Sequence, residues 1–230
     1  MASKLLRRSG VSVGLEADRL GWRPDLIIQV GIGYNHEEVA VLTMEWPDCQ
    51  WIGFEPHPDI AQASNYPGRI YEMAIGSSVD KANLYIKHRH ADGSSILPFE
   101  GDTRLRKTVE VFQTTIDHAL KDVELPDNVL LWLDCEGSEL TALVGAKKLM
   151  KSSRIKMVNV EMTPNKPSPN WPDPTQVHRR LSAYGFYRQW VHTLRSGQYD
   201  AIYACRELFN PIYCSCPYSI HEWKTGRSLL

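Results

Sequence analysis

The stretch LLWLDCEGSEL, residues 130–140, changes from apolar to acidic within a few positions. Its first four residues are apolar, and Asp134, Glu136 and Glu139 follow them closely. A short apolar run predicts a buried strand, whereas charged side chains are costly to bury unless another group pairs with them. The acids therefore predict a strand end that faces a polar cleft or a cationic ligand.

Apolar runs of the same kind occur on both sides of this stretch and alternate with amphipathic segments. Strands are predicted at LIIQV (26–30), WIGFEP (51–56), RIYEMAI (69–75), VLLWLD (129–134) and IKMVNVEM (155–162), and helices at 36–46, 58–66, 138–151 and 175–184. This alternation predicts an α/β fold with a mostly parallel sheet and helices on both faces. Apolar and polar residues alternate in ANLYIKH (82–88) and in KTVEVFQTT (107–115), a pattern that is typical of exposed or antiparallel strands. The proline-rich loop at 163–174 is either a cover over a ligand crevice or a surface connector.

The composition favours a globular enzyme-sized domain. The chain has 230 residues, of which 43% are hydrophobic, and its formal net charge is −1. The near-neutral charge disfavours nucleic acid as a partner. No apolar run reaches the roughly 18–20 residues of a membrane span, and no apolar segment follows the basic N-terminus as in a secretory signal. Five irregularly spaced cysteines predict a reducing, cytoplasmic setting. The sequence contains no pattern that indicates an oligomeric state.

A glycine loop follows the first predicted strand, in QVGIGYN (29–35). Gly31 and Gly33 would let a ligand approach the backbone closely. Glu55 ends the next predicted strand, 22 residues after Gly33, at a position where an acid can bind ribose hydroxyls. NAD-binding and S-adenosylmethionine-binding folds share this pattern. NAD is disfavoured because His36 replaces a third glycine and because Glu37 and Glu38 would face its pyrophosphate. S-adenosylmethionine carries a sulfonium and an ammonium, which acids can accommodate.

Several ordered motifs resemble the FkbM family of class I methyltransferases. They are VGIGYN, GFEPHP, YEMAIGS, GSSIL, TVEVFQTTID, LWLDCEGSELTALVGAKKLM and KMVNVEM. The resemblance covers residues 26–205, and it leaves 1–25 as an N-terminal and 206–230 as a C-terminal extension. It implies a Rossmann-like, seven-stranded, mostly parallel sheet with helices on both faces. It also implies methyl transfer from S-adenosylmethionine to a hydroxyl of a sugar, glycan or small metabolite.

The resemblance implies roles for individual residues. Gly31, Ile32 and Gly33 would line the methionine part of the cofactor, Glu55 would bind the ribose, and Pro56 and His57 would lie near the adenosine. The remaining cofactor contacts would be Asn35, Met73, Ala74, Ile75, Ser95 and Asp134. Four positions depart from the family pattern. Gln29 stands where an acid is usual, Ile32 and Gly33 stand where a small residue and an asparagine are usual, and Asn35 stands where a glycine is usual. These changes weaken the expected contact with the cofactor's ammonium.

Asp134 and Glu136 are the predicted catalytic bases, since neighbouring acids raise one another's pKa. Glu139 is predicted to lie at a helix N-terminus, where an acid interacts favourably with the helix dipole. No metal ligands are assigned, but an alternative has Asp134, Glu136 and Glu161 bind Mg²⁺ that acidifies the acceptor hydroxyl. Three other functions stay open. They are a divergent or non-catalytic S-adenosylmethionine-binding module, a nucleic-acid methyltransferase and an NAD-type oxidoreductase.

Overall fold

The structure is a computed structural model that describes residues 9–34, 37–63, 65–87, 93–98, 105–164, 169–193 and 198–209. In chain order its elements are α1 (Ser9–Arg19), β1 (Leu26–Val30), α2 (Glu37–Glu45), β2 (Gln50–Phe54), α3 (Pro58–Ala63), β3 (Arg69–Tyr71), β4 (Ala74–Ile75), β5 (Asp80–Lys87), β6 (Leu105–Thr114), α4 (Ile116–Ala119), β7 (Val129–Leu133), α5 (Glu139–Gly145), α6 (Lys147–Lys151), β8 (Ile155–Met162), α7 (Pro174–Ala183), β9 (Phe186–Thr193), β10 (Tyr199–Cys205) and a 3₁₀ turn (Arg206–Leu208).

Seven strands form the main sheet, in the order β3-β2-β1-β7-β8-β10-β9. The first five are parallel to one another, whereas β10 is antiparallel to both β8 and β9. The prediction of a seven-stranded, mostly parallel, Rossmann-like sheet is confirmed. The quoted apolar run forms β7, which lies between β1 and β8 and is buried along its whole length.

The central strands of the main sheet are buried on both faces because they are apolar at successive positions. On β1, Ile28 and Val30 belong to one hydrophobic core, and Ile27 belongs to a second core on the opposite face. The first core also contains side chains of α5, α6 and α7, whereas the second contains side chains of α1 and α2. The predicted layers of helices are therefore present on both faces.

Two predicted elements are each divided in the structure. RIYEMAI forms two short strands in different sheets, because the Met73 N–H turns back to bond the Tyr71 carbonyl (2.9 Å) and β4 then pairs with β6. The helix predicted over 138–151 ends at Gly145, and a second helix begins at Lys147. Gly145 lies against the Gly76 carbonyl, which a Cβ at this position would approach to 2.1 Å. The two helices are therefore separated by close packing at Gly145 and by the Asp117 carboxylate, which caps the first turn of α6.

A smaller sheet, in the order β4-β6-β5, packs beside the main one. Strands β5 and β6 are antiparallel, as their alternating sequences predict. Segment 93–98 joins this sheet, because Ser95 and Tyr85 exchange backbone hydrogen bonds of 2.8 and 3.2 Å. This bridge attaches segment 93–98 to β5.

Helix α1 lies inside the predicted N-terminal extension, and it contributes Val13 and Ala17 to the second core. Residues 210–230, most of the predicted C-terminal extension, lie outside the described residues. Among the described helices, none combines the length and the apolar composition that crossing a membrane requires.

Candidate functional site

A cavity of about 450 Å³ opens at the carboxyl ends of β1, β2 and β7. In parallel α/β sheets, ligands bind at this edge. Several segments that are distant in sequence line it, and six of the lining residues are acids. The acids are Glu37, Glu38, Glu55, Asp134, Glu136 and Glu161. No lysine, arginine or histidine occurs among the described residues that line the cavity, so its walls favour a ligand that carries positive charge.

The glycine loop and the end of β7 are in direct contact on one side of the cavity. Gly31 has a φ of 83°, and a Cβ there would lie 1.8 Å from the Asp134 carbonyl oxygen. The Asp134 N–H donates to the Val30 carbonyl (2.9 Å), and the Gly31 N–H donates to the Phe54 carbonyl (2.9 Å). Position 31 therefore requires glycine both for its backbone conformation and for this close approach.

Glu55 connects the end of β2 to the glycine loop. Its Oε2 accepts hydrogen bonds from the N–H groups of Ile32 (3.1 Å) and Gly33 (3.2 Å), and its Oε1 accepts one from the His57 N–H (2.9 Å). The side chain is 5% exposed but lines the cavity. Glu55 thus holds the loop in place, and a carboxylate has further lone pairs with which to accept bonds from ligand hydroxyls.

Residues 134–139, hereafter the acid turn, lead from β7 into α5. Glu136 (φ 50°) and Gly137 (φ 97°) both have left-handed backbone conformations. Glu139 is buried, and its Oε1 accepts hydrogen bonds from the N–H groups of Cys135 (3.2 Å) and Gly137 (3.1 Å). The residue starts α5 as predicted, but its carboxylate also braces the acid turn from within.

Three carboxylates, hereafter the acid cluster, converge at the cavity wall. They belong to Asp134, Glu136 and Glu161, and each offers an oxygen within 4.8 Å of the others. Burial, followed by the charges of Asp134 and Glu136, raises the pKa of Glu161 far above its usual range. Three close carboxylates can share a proton, face a cationic ligand or bind a hard cation.

The structure brings most of the predicted site residues together. Those that line the cavity are Gly31, Ile32, Gly33, Glu55, Pro56, Met73, Ala74, Ile75, Asp134 and Glu136. His57 and Ser95 are buried nearby but do not line the cavity, and Asn35 lies outside the described residues. Gln29 is buried as well, and its Nε2 donates to the Gly31 carbonyl (3.1 Å). Gln29 therefore supports the glycine loop through its amide.

Sequence reasoning left out of the site several residues that line the cavity. Glu161 is predicted only as a magnesium ligand in the alternative mechanism. Its position at the end of a strand that follows the acidic stretch would have indicated that it belongs to the site. Glu37 and Glu38 were considered only as obstacles to a pyrophosphate. Leu84 of β5 and Ile96 of segment 93–98 also line the cavity, and no local pattern predicts that the small sheet reaches it.

The sequence matches the family model described as the methyltransferase FkbM domain over residues 31–187, a range that contains the glycine loop, Glu55 and the acid cluster. A comparison with curated proteins gives no significant match. Among solved structures, the chain is similar to magnesium protoporphyrin IX methyltransferase from Synechocystis PCC 6803 with bound SAM (10% identity, TM-score 0.48, 86% of this chain and 79% of that one). It is also similar to a geranyl diphosphate methyltransferase in complex with SAM (13% identity, TM-score 0.46, 89% and 88%).

Proposed function

The chain belongs to the FkbM methyltransferase family, and we propose that it transfers a methyl group from S-adenosylmethionine to a hydroxyl of a sugar, glycan or small metabolite. One observation supports this proposal most strongly. The cavity at the carboxyl edge of the sheet combines a glycine loop, the Glu55 carboxylate and the acid cluster within one enclosure. A ligand with a ribose and two cationic groups matches these three features.

We assign each part of S-adenosylmethionine to one wall of the cavity. The ribose would bind at Glu55, the adenine beside Met73, Ala74 and Ile75, and the methionine part along the glycine loop. The sulfonium would then lie toward the acid cluster, where negative charge stabilises it. Together these contacts would direct the reactive methyl group toward Asp134 and Glu136.

Methyl transfer to oxygen is an in-line displacement at the methyl carbon. The bond from sulfur to methyl would break while the bond from the acceptor oxygen to methyl forms, and S-adenosylhomocysteine would leave as a neutral thioether. The hydroxyl proton passes to a carboxylate, for which Asp134 and Glu136 are the candidates. Holding the two reactants close together and aligned would supply much of the rate. Cys135 is no competing nucleophile, because burial and the nearby acids raise its pKa well above the usual thiol range.

Calorimetric titration with S-adenosylhomocysteine tests the cofactor. The wild-type protein should bind it, and Glu55→Gln should weaken binding about tenfold or more, because one carboxylate oxygen becomes an N–H donor that faces other N–H groups. Glu45→Gln, at an exposed position of α2, is the matched control and should bind normally. If the wild-type protein did not bind S-adenosylhomocysteine, the proposal would be wrong. Binding of NAD instead would favour an oxidoreductase.

Asp134→Asn tests the catalytic role. The substitution keeps the shape of the side chain but removes the base, so we expect S-adenosylhomocysteine affinity within about threefold of wild type and transfer slowed at least about a hundredfold. The acceptor for this assay comes from a labelled-methyl screen of sugars, glycans and hydroxylated metabolites. Full transfer by the variant would exclude Asp134 as the base.

Magnesium assistance is the alternative mechanism, since the three carboxylates of the acid cluster lie close enough together to hold a hard cation. The ion would be held by Asp134, Glu136 and Glu161 and would acidify the acceptor hydroxyl. Transfer that stops in EDTA and returns with Mg²⁺ would support this alternative, whereas transfer that is unchanged in EDTA would leave the carboxylates as the base.

A further inference from the structure

Glu136 has a backbone conformation that its residue type disfavours. Its φ is 50°, and the other described non-glycine residue with a positive φ is Ser153, on an exposed turn. A residue other than glycine persists in the left-handed region only where its surroundings enforce that conformation. Because Glu136 belongs to the acid cluster, the contacts that enforce its conformation also determine where its carboxylate lies.

Ser95 makes the contact that fixes this part of the acid turn. Its Oγ donates a hydrogen bond of 2.6 Å to the Glu136 carbonyl and accepts one of 3.0 Å from the Leu97 N–H. The side chain is 1% exposed, and both backbone hydrogen bonds to Tyr85 hold the residue against β5. The hydroxyl thus has a fixed direction. Together with the buried carboxylate of α5 that accepts the Gly137 N–H, it sets the orientation of the peptide plane between Glu136 and Gly137.

A second contact encloses the same peptide. The Trp171 ring lies over Gly137, where a Cβ would be 2.5 Å from Cδ2 of the indole. Trp171 is itself buried, in the loop that precedes α7. The chain at Glu136 and Gly137 is therefore bounded by an indole ring as well as by the serine hydroxyl, so the peptide cannot turn without displacing one of them.

We propose that Ser95 is a positioning residue that acts through the carbonyl of Glu136 to hold the Glu136 carboxylate in the acid cluster. The inference rests on the proposed function, in which that cluster faces the sulfonium. It assigns to Ser95 a role different from the predicted contact with the cofactor. The small sheet would accordingly contribute to the site by orienting Glu136, a proposed base in the turn that follows β7 of the main sheet.

Comparing S-adenosylmethionine with S-adenosylhomocysteine provides a test that needs no acceptor. The two ligands differ by the methyl group and its positive charge, so their affinity ratio reports the negative potential at the sulfonium. Ser95→Ala should keep S-adenosylhomocysteine affinity within about twofold but reduce the preference for S-adenosylmethionine by about three- to tenfold. A merely structural role would weaken both ligands equally. An unchanged preference in Ser95→Ala would overturn the proposal.

A double-mutant cycle tests whether Ser95 acts through Glu136. Glu136→Gln should reduce the same preference, and adding Ser95→Ala to it should change the preference by less than about twofold. Effects that add fully would overturn the proposal, because Ser95 would then act by another route. Ser95→Thr, which keeps the hydroxyl, should restore the wild-type ratio. Ser182→Ala, at an exposed position of α7, is the control and should leave the ratio unchanged.

Amide hydrogen exchange separates failure of this inference from failure of the proposed function. If wild-type protein binds neither ligand, the proposed function fails, but exchange of the free protein still reports on the acid turn. Ser95→Ala should speed exchange at residues 135–139 about tenfold and leave β1 and β7 unchanged. Exchange that is unchanged at 135–139 would overturn the positioning role whatever the protein binds.

Discussion

Gly31 and Gly185 separate two reasons for which a chain requires glycine. Their φ values are 83° and 85°, but a Cβ on Gly185 would meet nothing within 4 Å, whereas one on Gly31 would reach the Asp134 carbonyl. Gly185→Ala should therefore cost only the conformational penalty of about 1–2 kcal/mol. Gly31→Ala should cost at least about 2 kcal/mol more, because the ends of β1 and β7 must separate.

Urea denaturation of both glycine variants measures this difference. Gly31→Ala should also lose S-adenosylhomocysteine binding, since the displaced strand ends bear both the glycine loop and the acid turn. Gly185→Ala should bind as wild type does. Equal stabilities for the two variants would show that the contact between Gly31 and Asp134 has no energetic importance.

Glu139 should make the stability of the protein depend on pH. Burial raises its pKa to about 7, from an ordinary value of 4.5. As the pH rises above 4.5, the unfolded chain loses this proton first, so stability declines until the folded protein has lost it too, near pH 7. The decline amounts to about 3 kcal/mol at 1.36 kcal/mol per pH unit.

Glu139→Gln tests this decline. The N–H groups of Cys135 and Gly137 donate to the same oxygen of the Glu139 carboxylate, Oε1, so the amide oxygen of glutamine can accept these two bonds in the same way. The variant should match wild type near about pH 4.5 and exceed it by about 3 kcal/mol near about pH 8. Glu45→Gln is the exposed control. A stability difference that does not change with pH would contradict the assignment.

At the level of elements, Asp117 caps a helix to which it does not belong. Helix α6 begins after Ala146, which has no side chain that can cap it. The Asp117 carboxylate of α4 instead accepts hydrogen bonds from the N–H groups of Lys148 (2.7 Å) and Leu149 (2.9 Å). This long-range cap allows α6 to start directly after α5 ends.

Asp117→Ala should destabilise the protein by about 1–2 kcal/mol, the usual cost of losing an N-cap. Asp117→Asn should recover part of this loss, because its single amide oxygen can still accept one of the two hydrogen bonds. Asp122→Ala, which replaces an exposed acid close by in sequence, should change stability by less than about 0.5 kcal/mol. Thermal or urea unfolding measures all three variants, and a neutral Asp117→Ala would contradict the capping role.

The same elements show which features of the fold can be predicted from sequence patterns and which cannot. The bounds of β1 and β8 follow directly from apolar runs, because strands of a parallel sheet are buried on both faces. The break at Ala146 was not predictable locally, since it depends on Gly76 and Asp117, both distant in sequence. Glu55 is predicted as a site residue and it lines the cavity, whereas its bonds to the glycine loop were not predicted. Ser95 was placed near the site, whereas its contact with Glu136 requires the small sheet to pack on the acid turn.

The charge of the cavity is a property of the whole molecule, and it predicts which adenosine-containing cofactor the protein selects. Four segments supply the six acids, and no described lining residue is basic. S-adenosylmethionine brings two positive groups to this surface, whereas the pyrophosphate of NAD would bring two negative ones close to Glu37 and Glu38 at the start of α2. The fold leaves room for either ligand at the sheet edge, so electrostatics should decide between them.

Thermal unfolding with each ligand at equal concentration measures this selectivity. A ligand at a hundred times its Kd stabilises a protein by about 2.7 kcal/mol, which is about 5–10 °C for a chain of this size. We expect a shift of this order with S-adenosylmethionine and S-adenosylhomocysteine, and none with NAD. Glu55→Gln should reduce the shift, because it disturbs the glycine loop without changing the other five acids. If NAD raised the unfolding temperature as much as S-adenosylmethionine does, the acids of the cavity would not determine which of these cofactors binds.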